Sequence, residues 1–240
     1  MKLKSKQEKT GDEHLMIDDS MLEKICGYAN LSKKDSVIEV GAGTGNLTEK
    51  LSAKAGMVYA IEKEDQMFEE LSRRLAGGNV ELIHADATKI PFPKYSKIVS
   101  NLPYSISRKI TKKFLLHGFD SAVLVYQKEF ADKLTAKVGS DHYRMITALA
   151  QSTCKIELLD SISPEAFIPQ PNVWSRIVRL TMKEKPTPEY AEFLQELFNH
   201  KNKHVKNTIK DVPKEYATKK PCEMKPEEFI SLYGEYHTQR

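Results

Sequence analysis

Seven short apolar runs occur along the first 180 residues, and segments with helical periodicity separate the earlier ones. The runs are rich in β-branched residues and cover residues 37–40, 57–61, 80–83, 97–100, 122–126, 155–159 and 177–180. Strands that alternate with helices are typical of a parallel α/β sheet, because parallel neighbours need a crossover connection. Only a proline-containing loop, residues 161–175, separates the last two runs. We therefore expect these two to form an antiparallel pair at one edge of the sheet.

The character of the chain changes after residue 182. Residues 183–188 form a charged hinge with two prolines, and the remainder shows short helix patterns without a strand pattern. These features predict a sheet domain over residues 1–182 and a small helical domain over residues 183–240. Roughly 55 residues are close to the lower limit for an independent hydrophobic core, so we expect the second domain to pack on the first.

Composition excludes several classes of protein. The 240 residues are 40% hydrophobic and 29% charged, with a mean hydropathy of -0.49, which is typical of a soluble protein. The apolar runs are far shorter than the ~20 residues of a membrane span, and the lysine-rich start lacks the apolar stretch of a secretory signal. We expect a cytoplasmic protein without a membrane partner.

Cysteine and histidine spacing gives no indication of a disulfide framework or a metal site. Cys26, Cys154 and Cys222 are odd in number and far apart, so we expect reduced, buried thiols. His200 and His204 are spaced as on one helix face, but no third candidate ligand lies near them in the sequence. No metal is assigned.

A glycine-rich turn follows the first predicted strand. Gly41, Gly43 and Gly45 precede a helix pattern, where close backbone approach and free N–H groups suit a bound ligand. A dinucleotide-binding fingerprint would need its third glycine at Asn46, so the spacing differs. Gly-x-Gly-x-Gly with Glu39 two residues before it resembles motif I of S-adenosylmethionine-dependent methyltransferases. A tight turn from strand to helix, without a ligand, is the alternative.

Two carboxylates follow the next two predicted strands. Glu62 lies 21 positions after Gly41, where a carboxylate can accept both ribose hydroxyls, and Asp86 follows the third strand. Open α/β sheets bind their ligands at the carboxyl ends of parallel strands. Both side chains could instead be surface caps, since Asp is common at helix N-termini. Together with the glycine turn, the two carboxylates favour an adenosine-bearing cofactor.

The tetrapeptide Asn101-Leu102-Pro103-Tyr104 follows the fourth predicted strand. Pro103 favours an extended Leu102, so the Leu102 backbone carbonyl and the Asn101 side-chain carbonyl can point the same way. Two such acceptors suit an adenine amine, because they stabilise the positive charge that develops on it during methylation. Tyr104 is expected to stack on an extruded base. A turn with a buried tyrosine is the alternative when the tetrapeptide is considered alone.

Basic residues are clustered, although the net charge is only +4. Four lysines occur in the first nine residues, Arg108 and Lys109 precede a lysine pair at 112–113, and residues 201–220 carry seven lysines. Each cluster alone is better explained by a solvated helix face. Three clusters around one candidate active site favour nucleic acid as the partner.

Together these motifs resemble the ribosomal RNA small-subunit adenine-N6,N6 dimethyltransferases, and their archaeal members in particular. Further matches lie at residues 127–129, at the Phe-x-Pro-x-Pro-x-Val-x-Ser loop 167–175 and at residues 198–203, so the resemblance covers nearly the whole chain. It implies a Rossmann-like, seven-stranded class I methyltransferase domain with a small C-terminal helical domain. It also implies S-adenosylmethionine as cofactor, two adjacent adenosines near the 3′ end of small-subunit rRNA as substrate, and a monomer acting on pre-30S particles.

The resemblance also assigns residue roles. The cofactor contacts are His14, Met16, Gly41, Gly43, Glu62, Asp86 and Asn101. The reacting centre is Asn101, Leu102, Pro103 and Tyr104, with Phe167 on the other side of the target adenine. The RNA contacts are Arg108, Lys109, Lys201, Lys203 and Lys206. Glu13 and Leu15 depart from the family pattern, which weakens the assignments of His14 and Met16, and Phe167 could instead be a core aromatic.

Two other functions fit the same residues. The tetrapeptide indicates the amine and not the polymer, so N6 methylation of large-subunit rRNA or of DNA is an alternative. A non-enzymatic factor that monitors small-subunit assembly is an alternative of a different class. RNA binding alone, however, needs neither the Gly41 turn nor the tetrapeptide.

Overall fold

A seven-stranded sheet forms the centre of the computed structural model, which describes residues 14–75 and 77–238. The strands within these ranges are β1 Leu15–Met16, β2 Ser36–Val40, β3 Met57–Glu62, β4 Val80–His84, β5 Lys97–Asn101, β6 Ser121–Gln127, β7 Cys154–Ile162, β8 Phe167–Ile168 and β9 Ser175–Met182. The helices within them are α1 Asp19–Ala29, α2 Asn46–Lys54, α3 Asp65–Leu75, α4 Ser107–His117, α5 Lys128–Leu134, α6 Met145–Thr153, α7 Pro188–Asn199, α8 Lys214–Ala217 and α9 Pro226–Thr238. All seven strands expected from the apolar runs are confirmed.

The order of the strands in the sheet is β4-β3-β2-β5-β6-β9-β7. The five strands from β4 to β6 are parallel, whereas β9 pairs antiparallel with both β6 and β7. The expected antiparallel pair at one edge is therefore confirmed, with β7 outermost. The carboxyl ends of β2 to β6 meet at one edge, which is where the candidate residues lie.

Helices cover both faces of the sheet. Ile98 packs into a cluster that includes Phe114 of α4, and the next residue, Val99, packs into a second cluster that includes Ile25 of α1. Successive side chains of a strand point to opposite faces, so a strand buried on both sides has no polar alternation. This explains the continuous apolar runs in the sequence.

Two very short strands, β1 and β8, form a separate antiparallel ribbon in which Met16 pairs with Phe167. The ribbon continues through the backbone N–H of Ile17, which donates to the carbonyl of Ala166 at 2.9 Å. Sequence patterns do not predict strands of two residues, because alternation needs at least four to be recognised. The ribbon brings the start of the described chain against the loop of residues 167–175, called the proline-rich loop below.

The C-terminal helices pack on the sheet domain, as expected from their length. Leu194 of α7 and Phe229 of α9 are fully buried in the same hydrophobic cluster as Ile98. Helix α7 begins after Thr187, whose hydroxyl accepts a hydrogen bond from the N–H of Tyr190 at 3.1 Å. The core is continuous across the hinge, and the domain boundary at residue 182 stays a prediction.

The expected common helix face of His200 and His204 is wrong. Helix α7 ends at Asn199, and His204 precedes a separate 3₁₀ turn at Val205–Asn207. No cluster of three or more His, Cys, Asp or Glu residues suited to a metal occurs among the described residues. No helix in that part of the chain is long and apolar enough to cross a membrane.

The three cysteines are free thiols. Cys26 and Cys154 are buried as expected, whereas Cys222 is only half-buried. Burial raises the pKa of Cys26 and of Cys154 to about 11, so both stay protonated at neutral pH. They are therefore packing residues.

Candidate active site

The glycine turn between β2 and α2 packs directly against the tetrapeptide. Gly41 has a φ of 74°, in the region that favours glycine. A Cβ on Gly41 would lie 3.0 Å from Cδ of Pro103, and a Cβ on Gly43 would overlap Cδ2 of Leu15. The missing side chains thus allow the end of β2, the tetrapeptide and the ribbon to meet.

Glu62 is almost completely buried at the end of β3. Its Oε2 accepts a hydrogen bond from the N–H of Gly43 at 2.8 Å, and its Oε1 accepts from the N–H groups of Lys63 and Glu64 at 2.6 and 2.9 Å. These three donors fix the carboxylate beside the glycine turn. A carboxylate has about four lone-pair sites, so Glu62 can still accept a hydrogen bond from a ligand hydroxyl.

Glu39 is buried beneath the glycine turn. Its Oε2 accepts a hydrogen bond of 2.6 Å from the hydroxyl of Thr48 in α2. Burial raises the pKa of Glu39 to about 8; the Thr48 hydrogen bond opposes this rise, and the nearby charge of Glu62 adds to it. The acidic residue of the glycine motif therefore ties β2 to α2 and does not contact solvent.

Asp86 lies two residues beyond the end of β4. Its Oδ1 accepts hydrogen bonds from the backbone N–H of Thr88 at 2.9 Å and from the Thr88 hydroxyl at 2.7 Å. The Thr88 hydroxyl is the main reason that the pKa of Asp86 is below its usual value, and its N–H contributes next. Asp86 belongs to a turn and does not cap a helix, and its carboxylate is ionised at neutral pH.

Asn101 ends β5, and its side-chain nitrogen already donates a hydrogen bond within the protein. Nδ2 donates a hydrogen bond to the backbone oxygen of His14 at 2.9 Å. The amide oxygen accepts no hydrogen bond from residues 14–75 or 77–238, so it is available to a ligand. The backbone of Leu102 is held by its N–H, which donates to the carbonyl of Val125 at 3.3 Å.

Tyr104 is held at both ends of its side chain. Its hydroxyl lies 2.5 Å from Oγ of Ser175 at the start of β9. Its ring centroid lies 5.3 Å from that of His14, at an interplanar angle of 38°. The Nδ1 atom of His14 lies 2.7 Å from the carbonyl oxygen of Pro169 in the proline-rich loop. The tetrapeptide, the ribbon and this loop thus meet around one aromatic ring.

Phe167 does not line the cavity around the tetrapeptide. Its side chain is fully buried in the core cluster that contains Met16 and Ile25. Met16 and Phe167 are partners in the ribbon, so their side chains point to the same, inward face. The Met16 carbonyl accepts a hydrogen bond from Nδ2 of Asn46 at 3.0 Å. The geometry favours the core alternative for Phe167 and a structural role for Met16.

A continuous groove connects the tetrapeptide with Asp86. Its first part is lined by His14, Leu15, Gly41, Gly43, Glu62, Asn101, Leu102, Pro103 and Tyr104. Its second part is lined by residues around Ile61–Glu64, Ala85–Ala87 and Ser105–Ile106. Gly41, Glu62 and Pro103 line both parts. The structure thus brings together the predicted residues at the ends of four neighbouring strands.

The groove fits S-adenosylmethionine, the cofactor that the glycine motif suggests. Gly41 and Gly43 line the groove without side chains, and the buried Glu62 carboxylate lines it beside them. Glu62 would hold ribose hydroxyls, and the ionised Asp86 would hold the adenine end. Asn101 would face the donor methyl group. When bound, the cofactor supplies a methyl group on positively charged sulfur.

The basic residues of α4 have different surroundings. Arg108 is exposed and forms no ion pair with the described residues. Lys109, also exposed, donates from Nζ to the hydroxyl oxygen of Thr88 at 3.1 Å. The lysines among residues 1–9 lie outside the described residues.

The predicted RNA-contacting lysines of the C-terminal region follow α7. Lys201, Lys203 and Lys206 form no ion pair with a carboxylate in the part of the chain that the structure describes. Further along, Lys219 pairs with Glu228 and Lys220 with Glu223. The three unpaired lysines therefore leave positive charge available to an anionic partner.

Two residues of the proline-rich loop were missed by sequence reasoning. Ser175, the partner of Tyr104, was recognised only as part of a motif. Trp174, next to it, is 51% exposed, and Ile168 at the other end of the loop is 56% exposed. The signal for Trp174 was present, because the single tryptophan of the chain lies in a loop among prolines.

Proteins of similar sequence carry names of rRNA methyltransferases. A family model described as ribosomal RNA adenine dimethylase matches residues 4–226. A probable ribosomal RNA small subunit methyltransferase A from Thermococcus gammatolerans is 40% identical over 240 residues, covering 92% of this chain and 86% of the relative. A protein of the same name from Methanopyrus kandleri is 39% identical over 232 residues, covering 91% and 84%.

Solved structures agree with the fold. A dimethyladenosine transferase from Plasmodium falciparum has a TM-score of 0.82 and 28% identity, covering 94% of this chain and 98% of that chain. The 23S rRNA methyltransferase ErmE has a TM-score of 0.70 and 23% identity, covering 92% and 98%, and this likeness concerns the fold alone. Since the family model spans nearly the whole sequence, the chain belongs to the ribosomal RNA adenine dimethylase family.

Proposed function

We propose that the chain dimethylates the N6 amine of two adjacent adenosines near the 3′ end of small-subunit rRNA, with S-adenosylmethionine as methyl donor. The orientation of the Asn101 amide carries this proposal. Because Nδ2 is bonded to the His14 carbonyl, Oδ1 is left as an acceptor in a cavity that is also lined by the glycine turn. A protein that only binds RNA needs no such acceptor beside a cofactor groove.

The tetrapeptide makes a poor nucleophile reactive. The lone pair of an adenine amine is delocalised into the ring. The Asn101 Oδ1 and the Leu102 carbonyl accept hydrogen bonds from its two hydrogens, which favours a tetrahedral nitrogen and stabilises its developing positive charge. The N6 lone pair forms the new N–C bond as the C–S bond breaks and its electrons pass to sulfur. The methylated ammonium then loses a proton to water, so no strong general base is needed.

Tyr104 holds the base that is extruded from the RNA. Stacking on one aromatic ring contributes about 1–3 kcal/mol, which offsets part of the free energy of extrusion. The contact with Ser175 fixes the plane of the Tyr104 ring. Trp174, the residue before Ser175, is exposed and would stack on a flanking base.

Small-subunit precursors are the proposed partner, and the enzyme is proposed to act as a monomer. The names of the relatives support the small subunit as the substrate. Arg108, Lys201, Lys203 and Lys206 would contact RNA phosphates, with the last three on the proposed helical domain 183–240. Lys109 is bonded to Thr88, so it would contribute positive charge rather than a direct phosphate contact.

The test is methyl transfer to precursor small subunits that lack the modification. The purified chain is incubated with labelled S-adenosylmethionine, and dimethyladenosine is measured in the digested rRNA. We expect dimethyladenosine with the wild-type chain and with Asn199→Ala, an exposed amide outside the groove, but not with Asn101→Ala. Large-subunit rRNA and DNA serve as competing substrates. Product on either of these, and none on the small subunit, would overturn the proposed substrate.

A further inference from the structure

The basic cluster at the start of α4 divides into two pairs. Arg108 and Lys112 are four residues apart, as are Lys109 and Lys113, so each pair shares a face of the helix. Arg108 and Lys112 form no hydrogen bond or ion pair with residues 14–75 or 77–238. Lys109 and Lys113 both contact the segment that joins β4 to β5. The four positive charges therefore do not form one uniform surface.

The Lys113 ammonium is hydrogen-bonded to backbone carbonyls, and its side chain is partly buried. Its Nζ donates hydrogen bonds to the carbonyl oxygens of Ala87, at 2.5 Å, and of Ile90. The same ammonium lies 3.9 Å from the centroid of the Phe92 ring. Burial lowers the pKa of Lys113, and the charge of Asp86 opposes that change. One cation thus brings together three residues of a single loop.

Lys109 contacts the same loop one helical turn earlier. Its Nζ donates to the hydroxyl oxygen of Thr88, and this hydroxyl donates to Oδ1 of Asp86 at 2.7 Å. A chain of hydrogen bonds therefore runs from α4 to the Asp86 carboxylate. Residues 85–96 contain no strand or helix, so the loop has no backbone ladder to fix its shape.

We propose that Lys113, assisted by Lys109, is a positioning residue for the cofactor: it holds the Ala87 and Ile90 carbonyls so that Asp86 stays at the adenine end of the groove. The inference rests on the proposed cofactor contact of Asp86. Without the cation, the two carbonyls lose their common donor and the loop gains freedom, which S-adenosylmethionine must then remove on binding. Because α4 follows the tetrapeptide directly, the same helix connects the cofactor loop to the reacting centre.

The test compares two neighbouring lysines in the full chain. Lys113→Met removes the charge and keeps the apolar stem, and Lys112→Met makes the same change on the unpartnered face. Calorimetry measures S-adenosylmethionine binding, and fluorescence anisotropy measures binding of an rRNA fragment. We expect Lys113→Met to weaken cofactor binding about tenfold and to leave RNA binding within about twofold, because a charged hydrogen-bond donor is lost at the loop alone. Lys112→Met should weaken RNA binding and leave cofactor binding unchanged.

Two further variants separate positioning from folding. Lys113→Arg keeps donors for both carbonyls and should restore cofactor affinity to within about threefold of wild type. Thr88→Val breaks the hydrogen-bond chain from the loop side and should weaken cofactor binding even if Lys113→Met does not fold. Thermal unfolding without cofactor reports the folded fraction of each variant.

The outcomes distinguish this inference from the proposed function. The inference is overturned if Lys113→Met folds and binds the cofactor as wild type does. If Lys113→Met does not fold, the inference is overturned when Thr88→Val binds the cofactor as wild type does. Wild-type chain that binds S-adenosylmethionine but forms no dimethyladenosine overturns the proposed function and leaves the positioning role standing. Wild-type chain that does not bind S-adenosylmethionine overturns both.

Discussion

The hydroxyl of Tyr104 lies 2.5 Å from Oγ of Ser175, a residue that is 71 positions away in the sequence and completely buried. This contact joins the tetrapeptide after β5 to the end of the proline-rich loop, where β9 begins. The tetrapeptide would position the reacting amine, and the loop contacts the tetrapeptide through this hydroxyl pair. A hydroxyl pair of this kind fixes the orientation of the aromatic ring without affecting its stacking surface.

We therefore expect Tyr104→Phe and Ser175→Ala to lower methyl transfer to a similar extent. Losing one hydrogen bond of about 1 kcal/mol corresponds to roughly fivefold in rate. The double variant should be little worse than either single variant, because both remove the same contact. Single-turnover rates with saturating cofactor provide the measurement. Additive losses in the double variant would show that the two hydroxyls act independently.

The glycine turn allows a test with an internal control. Gly41→Ala would place a Cβ 3.0 Å from Pro103 at a φ of 74°, so we expect a loss of about 1–3 kcal/mol in unfolding free energy, together with weaker cofactor binding. Gly27 lies in α1, and a Cβ there would meet nothing within 4 Å. Gly27→Ala should stabilise the chain by about 0.5–1 kcal/mol. Urea denaturation and calorimetry measure the two effects, and equal behaviour of both variants would contradict the packing argument.

Glu39 predicts a dependence of stability on pH. Its pKa in the folded chain, about 8, lies above the ordinary value of 4.5. The folded state therefore keeps a proton that the unfolded state releases, so this contribution to stability is complete below pH 4.5 and is lost as pH rises through 8. Glu39→Gln should be relatively more stable than wild type at alkaline pH, because the amide remains neutral.

Urea midpoints at about pH 6 and about pH 9 measure this effect. We expect the wild-type urea midpoint to be lower at the higher pH than at the lower pH, and the Glu39→Gln midpoint to change less. Glu192→Gln, an exposed substitution on α7, serves as the control and should follow the wild-type curve. Parallel curves for all three proteins would show that Glu39 is ionised in the folded chain.

The fold was predictable because its signals are local. The apolar runs gave the strands, and the change of pattern at residue 182 coincides with the end of β9. The ends of four strands also gave Gly41, Glu62, Asp86 and Asn101, since a parallel sheet places them at one edge. These residues line the continuous groove, although their roles stay predictions.

Contacts between distant segments were not predictable. Phe167 matches a family motif, but its inward direction follows from pairing with Met16 in a ribbon too short to leave a pattern. Similarly, a run of basic residues does not reveal that Lys113 is bonded to two carbonyls while Lys112 is not. Burial of a charge depends on which loop lies against the helix, and sequence spacing alone does not contain that information.

The unpaired lysines after α7 predict how RNA binding responds to salt. Each phosphate contact that is lost lowers the slope of log K against log salt by about 0.7–0.9. If Lys201, Lys203 and Lys206 all contact phosphates, replacing the three by Ala should lower the slope by about 2–3 and leave cofactor binding unchanged. A matched control replaces Lys24, Lys54 and Lys133, which pair with Asp160, Glu23 and Glu129. Anisotropy titrations of an rRNA fragment over a range of salt concentrations give the slopes. If both triple variants lower the slope equally, total charge determines RNA binding, and not these three positions.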